Sequence, residues 1–308
     1  MKDLFGHKIT TKSVKVNIYA DEIQSVECPY TGEEWFYIGI IVECVEKPLL
    51  GDIINARYCG NFDKDSPYFA KNDRLIHWSE INDIDTKNIA KRWIEYIMNS
   101  DKSKDKFYAY VLGINNSKLD SSLFDMEDEF NSKYNRFFRS AVLYALKSFF
   151  SNSNIIVMNI YHEVGQQEHH EYFPWHVIYK IKKEENVEVR VNEIVFLPKS
   201  HREDKKSNII QLCDLFLGLC KSMLHGMEEN SKAFKYKKEL LDLFLPLFER
   251  MIEEPANRNS RYAHASRIMI RFFPEKKRYH CNNFVPEFYT KRPIKYKDDM
   301  SDQLCFDY

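Results

Sequence analysis

A chain of 308 residues, 44% hydrophobic and 30% charged, can bury a large core, which excludes an intrinsically disordered protein. Only 9 Gly and 10 Pro argue against a turn-dense all-β fold, and a net charge of −1 excludes a uniformly basic protein. The seven cysteines are scattered without CxxC spacing, so neither a disulfide framework nor a thiolate zinc site is indicated. With no signal peptide and no apolar stretch long enough for a bilayer, we expect a cytoplasmic protein without membrane contact.

Ten segments of the chain have a regular pattern. The β-branched and aromatic pattern of strands occurs at 14–20, 35–45, 107–112, 155–161 and 187–197. Helical periodicity occurs at 86–99, 130–150, 170–183, 209–224 and 235–252, whereas residues 255–308 are predicted to be irregular. This order predicts an α/β fold, with a mixed sheet flanked by helices in a core of residues 1–230 and a C-terminal extension of residues 231–308.

Acidic residues follow two of the predicted strands. Asp21 and Glu22 come directly after the first strand, and Glu163 follows the fourth strand with one histidine between. Carboxylates at the ends of buried strands lie on a rigid framework that can hold a hard cation. The alternative is ordinary surface chemistry, because polar residues are common at strand ends.

One further carboxylate, Asp214, lies in the apolar helix predicted at 209–224, one turn after Gln211. A buried carboxylate requires a metal ion, a cation or a backbone amide as partner. The alternative is a solvent-facing position at the helix edge, and the apolar neighbours of Asp214 argue against it. Glu80, in the segment His77-Trp78-Ser79-Glu80, is a weaker candidate of the same kind.

Basic residues occur in two regions where they could bind phosphate groups. A loop with Lys199, His201 and Arg202 precedes Asp214, and it could contact phosphate or protonate a leaving group. Residues 255–297 hold eleven Lys or Arg and two Glu, a local charge of +9, interleaved with aromatic residues. Arg271, Lys276, Lys277 and Arg278 belong to this segment, which is typical of single-stranded nucleic-acid binding. The alternative is that this segment wraps around the core and packs its aromatic rings on it.

Three short motifs resemble a bacterial family known as domain of unknown function 3800, in the ribonuclease-H-like superfamily. They are Tyr-Ala-Asp-Glu at 19–22, Ile-Gln-Leu-Cys-Asp-Leu-Phe-Leu-Gly at 210–218 and His-Trp-Ser-Glu-Ile at 77–81. The resemblance covers residues 14 to 226, approximately. Two departures are Ile23-Gln24, where the family often has Ser-Gly, and Leu75, where it often has Glu.

The resemblance implies a ribonuclease-H-like fold with a five-stranded mixed sheet and a helical and irregular extension. It also implies two Mg²⁺ or Mn²⁺ ions, bound by Asp21, Glu163 and Asp214, with Glu22 or Glu80 completing the site and Lys199 or His201 assisting. The expected activity is a nuclease, of a kind that could act in defence against phage or other mobile elements.

Two other functions stay open at this point. One is a non-catalytic protein on the same fold that binds nucleic acid or a partner protein. The other is a metal-dependent enzyme acting on small phosphorylated molecules, which would need a closed pocket beside Asp21. The sequence also leaves open whether the substrate is RNA or DNA, whether the protein forms a homodimer and whether it requires a partner protein.

Overall fold

The computed structural model describes residues 12–120, 124, 129–151, 153–169, 173–227, 231–252, 267–273, 276–282 and 285–290. The strands are β1 (Lys12–Glu27), β2 (Glu34–Cys44), β3 (Tyr108–Asn115), β4 (Ser153–Glu163), β5 (Val187–Val189), β6 (Val195–Leu197), β7 (Ile268–Phe273), β8 (Lys276–Asn282) and β9 (Val285–Thr290). The helices are α1 (Leu50–Tyr58), α2 (Pro67–Asn72), α3 (Ile84–Met98), α4 (Ser100–Ser103), α5 (Glu129–Phe150), α6 (Phe173–Ile181), α7 (Ser207–His225) and α8 (Phe234–Ile252). A 3₁₀ turn, Trp78–Glu80, lies between α2 and α3.

Seven strands form one mixed sheet in the order β5-β4-β1-β2-β3-β7, with β6 also paired to β4. Pairing is antiparallel between β1 and β2 and between β2 and β3, whereas β4 is parallel to β1 and β7 is parallel to β3. Strands β8 and β9 form a separate antiparallel pair. The predicted α/β fold with a mixed sheet flanked by helices is confirmed, but the sheet has seven strands where five were expected.

Helices cover both faces of the sheet because alternate residues of the central strands are apolar on each side. On one face α7 packs on β1 and β2, with α1, α3 and α8 around it, and this core contains Trp35, Trp93 and Tyr19. On the other face α5 and α6 pack on the sheet, and this core contains Ile18 and Phe138. Neighbouring residues of β1 therefore face different helices.

The sequence predicted that the first strand would end at its acidic pair, but β1 continues beyond that pair. Its parallel partner β4 ends at Glu163, and Ala20 with His162 is the last pair of that ladder. The antiparallel pairing with β2 continues from there to Glu27, with an irregularity between Ile23 and Val26. Asp21 and Glu22 thus lie inside a strand, at the level where its parallel neighbour stops.

The C-terminal part of the chain differs most from its prediction. Residues 268–273, expected to be irregular, form β7 at the edge of the main sheet, and α8 packs on α3 and α7. These elements share the core of the preceding residues, while the division at residue 230 stays a prediction. The single strand expected at 187–197 is two short strands, β5 and β6. No helix among the described residues is both long and apolar enough to cross a membrane.

Candidate active site

Three carboxylates from three separate elements meet on the α7 side of the sheet. Since Ala20 and His162 are the last pair of the parallel ladder, Asp21 and Glu163 lie side by side one residue further on. Asp214 faces them from α7, which packs on β1. Asp21 is 2% exposed and Asp214 is 8% exposed, so both carboxylates are removed from bulk solvent. The three are called the carboxylate cluster below.

Burial and repulsion within the carboxylate cluster raise the pKa of Asp21 and of Asp214. Burial raises the pKa of Asp21 well above its ordinary value, and the negative charges of Glu163, Asp214 and Glu22 raise it further. The backbone N–H of Glu22, which donates to Asp21 Oδ1 at 2.9 Å, acts in the opposite direction. Like charges in a buried position are costly unless a cation lies among them. The cluster therefore has the electrostatic character of a cation site.

Asp214 is held by the loop that contains His77 and Trp78. Its Oδ2 accepts the backbone N–H of Trp78 at 2.5 Å, and its Oδ1 lies 3.2 Å from His77 Nε2. The Nδ1 atom of His77 accepts the backbone N–H of Ser79 at 3.3 Å, which places the ring proton on Nε2, facing the carboxylate. Burial raises the pKa of Asp214 to about 6, although His77 and the Trp78 N–H both lower it.

Lys199, from the loop before α7, brings a positive charge to the carboxylate cluster. Its Nζ lies 3.5 Å from Glu163 Oε1, and its charge also lowers the pKa of Asp214. The Lys199 side chain is 54% exposed, so its ammonium also faces solvent. Beside it, a cavity of about 430 Å³ is lined by residues 73–75 and 199–203. A ligand in this cavity would lie next to Lys199, which in turn contacts Glu163.

His201 and Arg202 bind Asp73 rather than the carboxylate cluster. His201 Nε2 donates to Asp73 Oδ1 at 2.7 Å, and Arg202 Nε lies 2.8 Å from Asp73 Oδ2. The other ring nitrogen of His201 faces Gln211 Nε2 at 3.4 Å. Burial lowers the pKa of His201 to about 4, and the charge of Arg57 acts in the same direction. At neutral pH His201 is an uncharged ring with a partner on each nitrogen, which favours a structural role over proton transfer.

A buried arginine and Gln211 hold the loops of the site, and the sequence analysis missed this network. Arg57 is fully buried, and its Nη2 donates to Gln211 Oε1 at 2.6 Å. Gln211 Oε1 also accepts the Ile76 N–H at 3.2 Å, and its Nε2 donates to the Lys199 carbonyl at 2.7 Å. The position of Gln211 one turn before Asp214 is visible in the sequence. Nothing in the sequence marks Arg57, which lies 154 residues from Gln211.

Glu22 points to the opposite face of the sheet, because successive residues of a strand alternate. There its Oε1 accepts Gln167 Nε2 at 3.0 Å, and its Oε2 lies 3.5 Å from His162 Nε2. The hydroxyl of Tyr134, from α5, also contacts this nitrogen, at 2.5 Å. Glu22 therefore belongs to a buried polar group under α5, although its charge is close enough to affect Asp21.

The remaining predicted residues lie elsewhere. Glu80 is exposed at the end of the 3₁₀ turn. Arg271 is exposed in β7, and three strand spacings of about 4.8 Å each separate β7 from β1, or about 14 Å. The backbone of β8 contains Lys276, Lys277 and Arg278. Residues 253–266 and 291–308 of the basic C-terminal region lie outside the described residues.

The donor types of the carboxylate cluster fit Mg²⁺ or Mn²⁺, which prefer oxygen ligands. As oriented, however, the described residues contain no group of three or more His, Cys, Asp or Glu side chains that could hold a metal ion. Asp214 is turned to His77 and Trp78, and Glu163 is turned to Lys199. In comparisons with known proteins, no family model, no curated protein and no solved structure matches this chain.

Proposed function

We propose that this protein is a divalent-metal-dependent nuclease with a ribonuclease-H-like fold. The observation that supports it most directly is the meeting of Asp21, Glu163 and Asp214 from the first strand, the fourth strand and a late helix. The resemblance to domain of unknown function 3800 implies metal ligands at these same three positions. A mixed sheet with helices on both faces is consistent with that fold.

Phosphodiester hydrolysis needs an activated water on one side of the phosphorus and a stabilised leaving oxygen on the other. Divalent cations held by the carboxylate cluster would supply both. The role of the protein's own residues is to keep the carboxylates aligned and ionised. His77 and the Trp78 N–H serve this purpose, because they counteract the effect of burial on the pKa of Asp214. Asp21, Glu163 and Asp214 would hold the cations, and Lys199, whose Nζ lies 3.5 Å from Glu163 Oε1, would be placed to contact a phosphate oxygen.

Cations beside the carboxylate cluster favour a substrate that contains phosphate. Besides Lys199, the cavity of about 430 Å³ is lined by Arg74 and Arg202, whose side chains are largely exposed. Contacts of Lys and Arg with phosphates provide most of the non-specific affinity for nucleic acid, and this affinity falls as salt rises. Arg74 is paired with Asp83 and Arg202 with Asp73, so we expect moderate affinity that depends strongly on salt.

A non-catalytic nucleic-acid-binding protein is the second candidate. Two observations favour it: the described residues contain no group oriented to hold a metal ion, and Leu75 stands where the family often has Glu. This candidate requires salt-dependent binding that neither EDTA nor the removal of Asp214 affects.

The decisive experiment is a cleavage assay with end-labelled single-stranded RNA, single-stranded DNA, duplex DNA and an RNA–DNA hybrid. The full chain is incubated with Mn²⁺, with Mg²⁺ or with EDTA, beside Asp214→Asn, Asp21→Asn and the control Glu80→Gln. We expect metal-dependent cutting that both cluster variants lose and the exposed Glu80 variant retains. Since a ligand that binds the folded state raises its stability, Mn²⁺ should also raise the Tm of wild type but not of Asp214→Asn.

Two other results would contradict the proposal in different ways. Cutting that persists in Asp214→Asn would contradict the proposed site. Absence of cutting on all four substrates, with intact binding and no effect of Mn²⁺ on Tm, would contradict the nuclease and leave the binding protein.

A further inference from the structure

The face of α7 that carries Asp214 also carries a lysine. Gln211, Asp214, Gly218 and Lys221 follow one another at spacings of three and four residues, which places them on one face of the helix. Every residue of α7 is buried except Lys221. At 1.5 Å per residue, Lys221 lies about 10 Å beyond Asp214 along the helix axis. A lysine on an otherwise buried helix, in line with the carboxylate cluster, requires an explanation.

The indole of Trp78 lies on this face between Asp214 and Lys221. A Cβ atom at Gly218 would be 2.1 Å from Trp78 Cγ, so the ring rests directly on the backbone of α7. The backbone N–H of the same residue donates to Asp214 Oδ2 at 2.5 Å. Trp78 therefore joins the carboxylate cluster to the surface beside Lys221.

A second lysine, from α8, lies over the same ring. Lys237 Nζ is 5.2 Å from the centroid of Trp78, a distance typical of cation–π contact, and the side chain is half-buried. Burial lowers the pKa of Lys237, and the positive charge of Lys221 lowers it further, while Asp214 opposes both. Lys221 and Lys237 are thus close enough to repel each other, and Asp214 is close enough to attract the ammonium of Lys237.

Neither ammonium contacts a described carboxylate, although the negative charge of Asp214 raises the pKa of Lys237. Lys221 and Lys237 form no ion pair with any carboxylate in the part of the chain that the structure describes. Other partly buried lysines do: Lys87 Nζ lies 2.8 Å from Glu239, and Lys147 Nζ lies 2.6 Å from Glu184. Two neighbouring ammonium groups without a carboxylate favour the binding of an anion between them.

We propose that Lys221 and Lys237 form a phosphate-binding site for a phosphodiester of the nucleic-acid strand, on the C-terminal side of Asp214 along α7. Lys199 is held by Gln211 on the N-terminal side, so cations flank the carboxylate cluster on both sides. A strand whose phosphates contact Lys199 and the two lysines would cross the cluster between them. The identity of the ligand rests on the proposed nuclease function, whereas the presence of an anion site rests only on the geometry of α7, α8 and Trp78.

The test measures binding rather than cutting, so that it does not depend on the nuclease. A fluorescein-labelled single-stranded oligonucleotide is titrated with the full chain in EDTA at several salt concentrations, using wild type, Lys237→Gln, Lys237→Arg and Lys221→Gln. Lys238→Gln is the matched control, because Lys238 is the next residue of α8, is exposed and lies over Phe234, with its Nζ 5.8 Å from that ring. Urea unfolding of each variant verifies that it is folded.

We expect Lys237→Gln and Lys221→Gln each to weaken binding by about tenfold, the size of one lost charge-assisted contact. The slope of log affinity against log salt should fall by about 0.7 for each lost phosphate contact. Lys237→Arg should keep most of the affinity, and Lys238→Gln should bind like wild type. The inference is overturned if Lys237→Gln binds like wild type, if Lys238→Gln loses as much, or if wild type does not bind.

A second arm separates this inference from the proposed function. A nucleoside monophosphate is titrated in the same buffer, with the quenching of Trp fluorescence as the readout. Lysine-dependent binding of the oligonucleotide with no cutting in Mn²⁺ supports the anion site and contradicts the nuclease. Cutting by wild type that Lys237→Gln leaves unchanged in rate and in KM, together with unchanged binding, supports the nuclease and contradicts the anion site. Lysine-dependent binding of the monophosphate alone overturns the phosphodiester as the ligand.

Discussion

Gln211 and Asp214 hold one loop at two points: Gln211 Oε1 accepts the Ile76 N–H at 3.2 Å, and Asp214 Oδ2 accepts the Trp78 N–H at 2.5 Å. The two side chains lie one turn apart on the same face of α7. Their shared loop contains His77, whose Nε2 lies 3.2 Å from Asp214 Oδ1. The pairing of a glutamine and an aspartate in this helix therefore has a structural reason, independent of any metal ion.

Replacement of Gln211 by Ala should destabilise the protein and misplace the site. The variant leaves the buried guanidinium of Arg57 without one acceptor and releases the Ile76 N–H and the Lys199 carbonyl. Unsatisfied buried groups of this kind cost about 1–3 kcal/mol each, and more when one is charged. Urea unfolding should show a loss of at least about 3 kcal/mol in the free energy of unfolding. Stability within about 0.5 kcal/mol of wild type would contradict this role of Gln211.

Asp214→Asn should be more stable than wild type at neutral pH in EDTA. The pKa of Asp214 is raised from 3.8 to about 6, so the folded state binds the proton more tightly than the unfolded state. The contribution of Asp214 to the free energy of unfolding is therefore largest below pH 4 and is lost as the pH rises through 6. At 1.36 kcal/mol per unit, this shift should make the variant gain about 2 kcal/mol over wild type between pH 4.5 and pH 7.5.

The comparison at two pH values reports the titration of Asp214 together with its effect on Asp21, because all other titrating groups are common to both proteins. Urea denaturation in EDTA measures the free energy of unfolding of each protein at pH 4.5 and at pH 7.5. A difference between the two proteins that stays constant across this range would show that the pKa of Asp214 is not raised.

Gly218→Ala should displace Trp78 and reduce activity. The new Cβ would lie 2.1 Å from Trp78 Cγ, so the ring and the loop that contacts Asp214 have to move. Overpacking of this kind costs about 1–3 kcal/mol, and we expect at least tenfold slower cutting because the Trp78 N–H moves with its ring. Gly51→Ala is the control, since a Cβ there meets nothing within 4 Å. Equal cutting rates and equal stabilities for the two variants would refute the tight packing of Trp78 on α7.

Local patterns predicted most of the helices and the central strands, because helical periodicity and apolar runs are local properties. The first strand and the fourth were recognised from 14–20 and 155–161, and their acids meet because parallel strands bring the same ends together. Strand β7 was missed because its apolar residues lie in a segment dominated by basic charge. Its place in the sheet depends on pairing with β3, more than 150 residues earlier in the chain.

The site could be predicted only in part, because contacts between distant parts of the chain are not visible in local patterns. Asp214 was identified because a carboxylate among apolar helical residues needs a partner. His77 and Glu80 lie in the same short motif, and the sequence does not show which of the two side chains faces α7. The roles of Arg57 and Lys237 depend on contacts between distant elements, which no local pattern contains.

Glu22→Gln should keep most of the cutting activity that Asp21→Asn loses. The two residues are adjacent in the sequence, but Asp21 faces α7 and the carboxylate cluster, whereas Glu22 lies under α5 beside His162 and Gln167. A glutamine at position 22 can still accept from Gln167, and it removes a negative charge that raises the pKa of Asp21. Single-turnover cutting rates in Mn²⁺ should therefore stay within about threefold of wild type for Glu22→Gln, whereas Asp21→Asn should lose at least a hundredfold. If Glu22→Gln is as inactive as Asp21→Asn while it remains folded, Glu22 contributes to the site and the separation by the sheet is wrong.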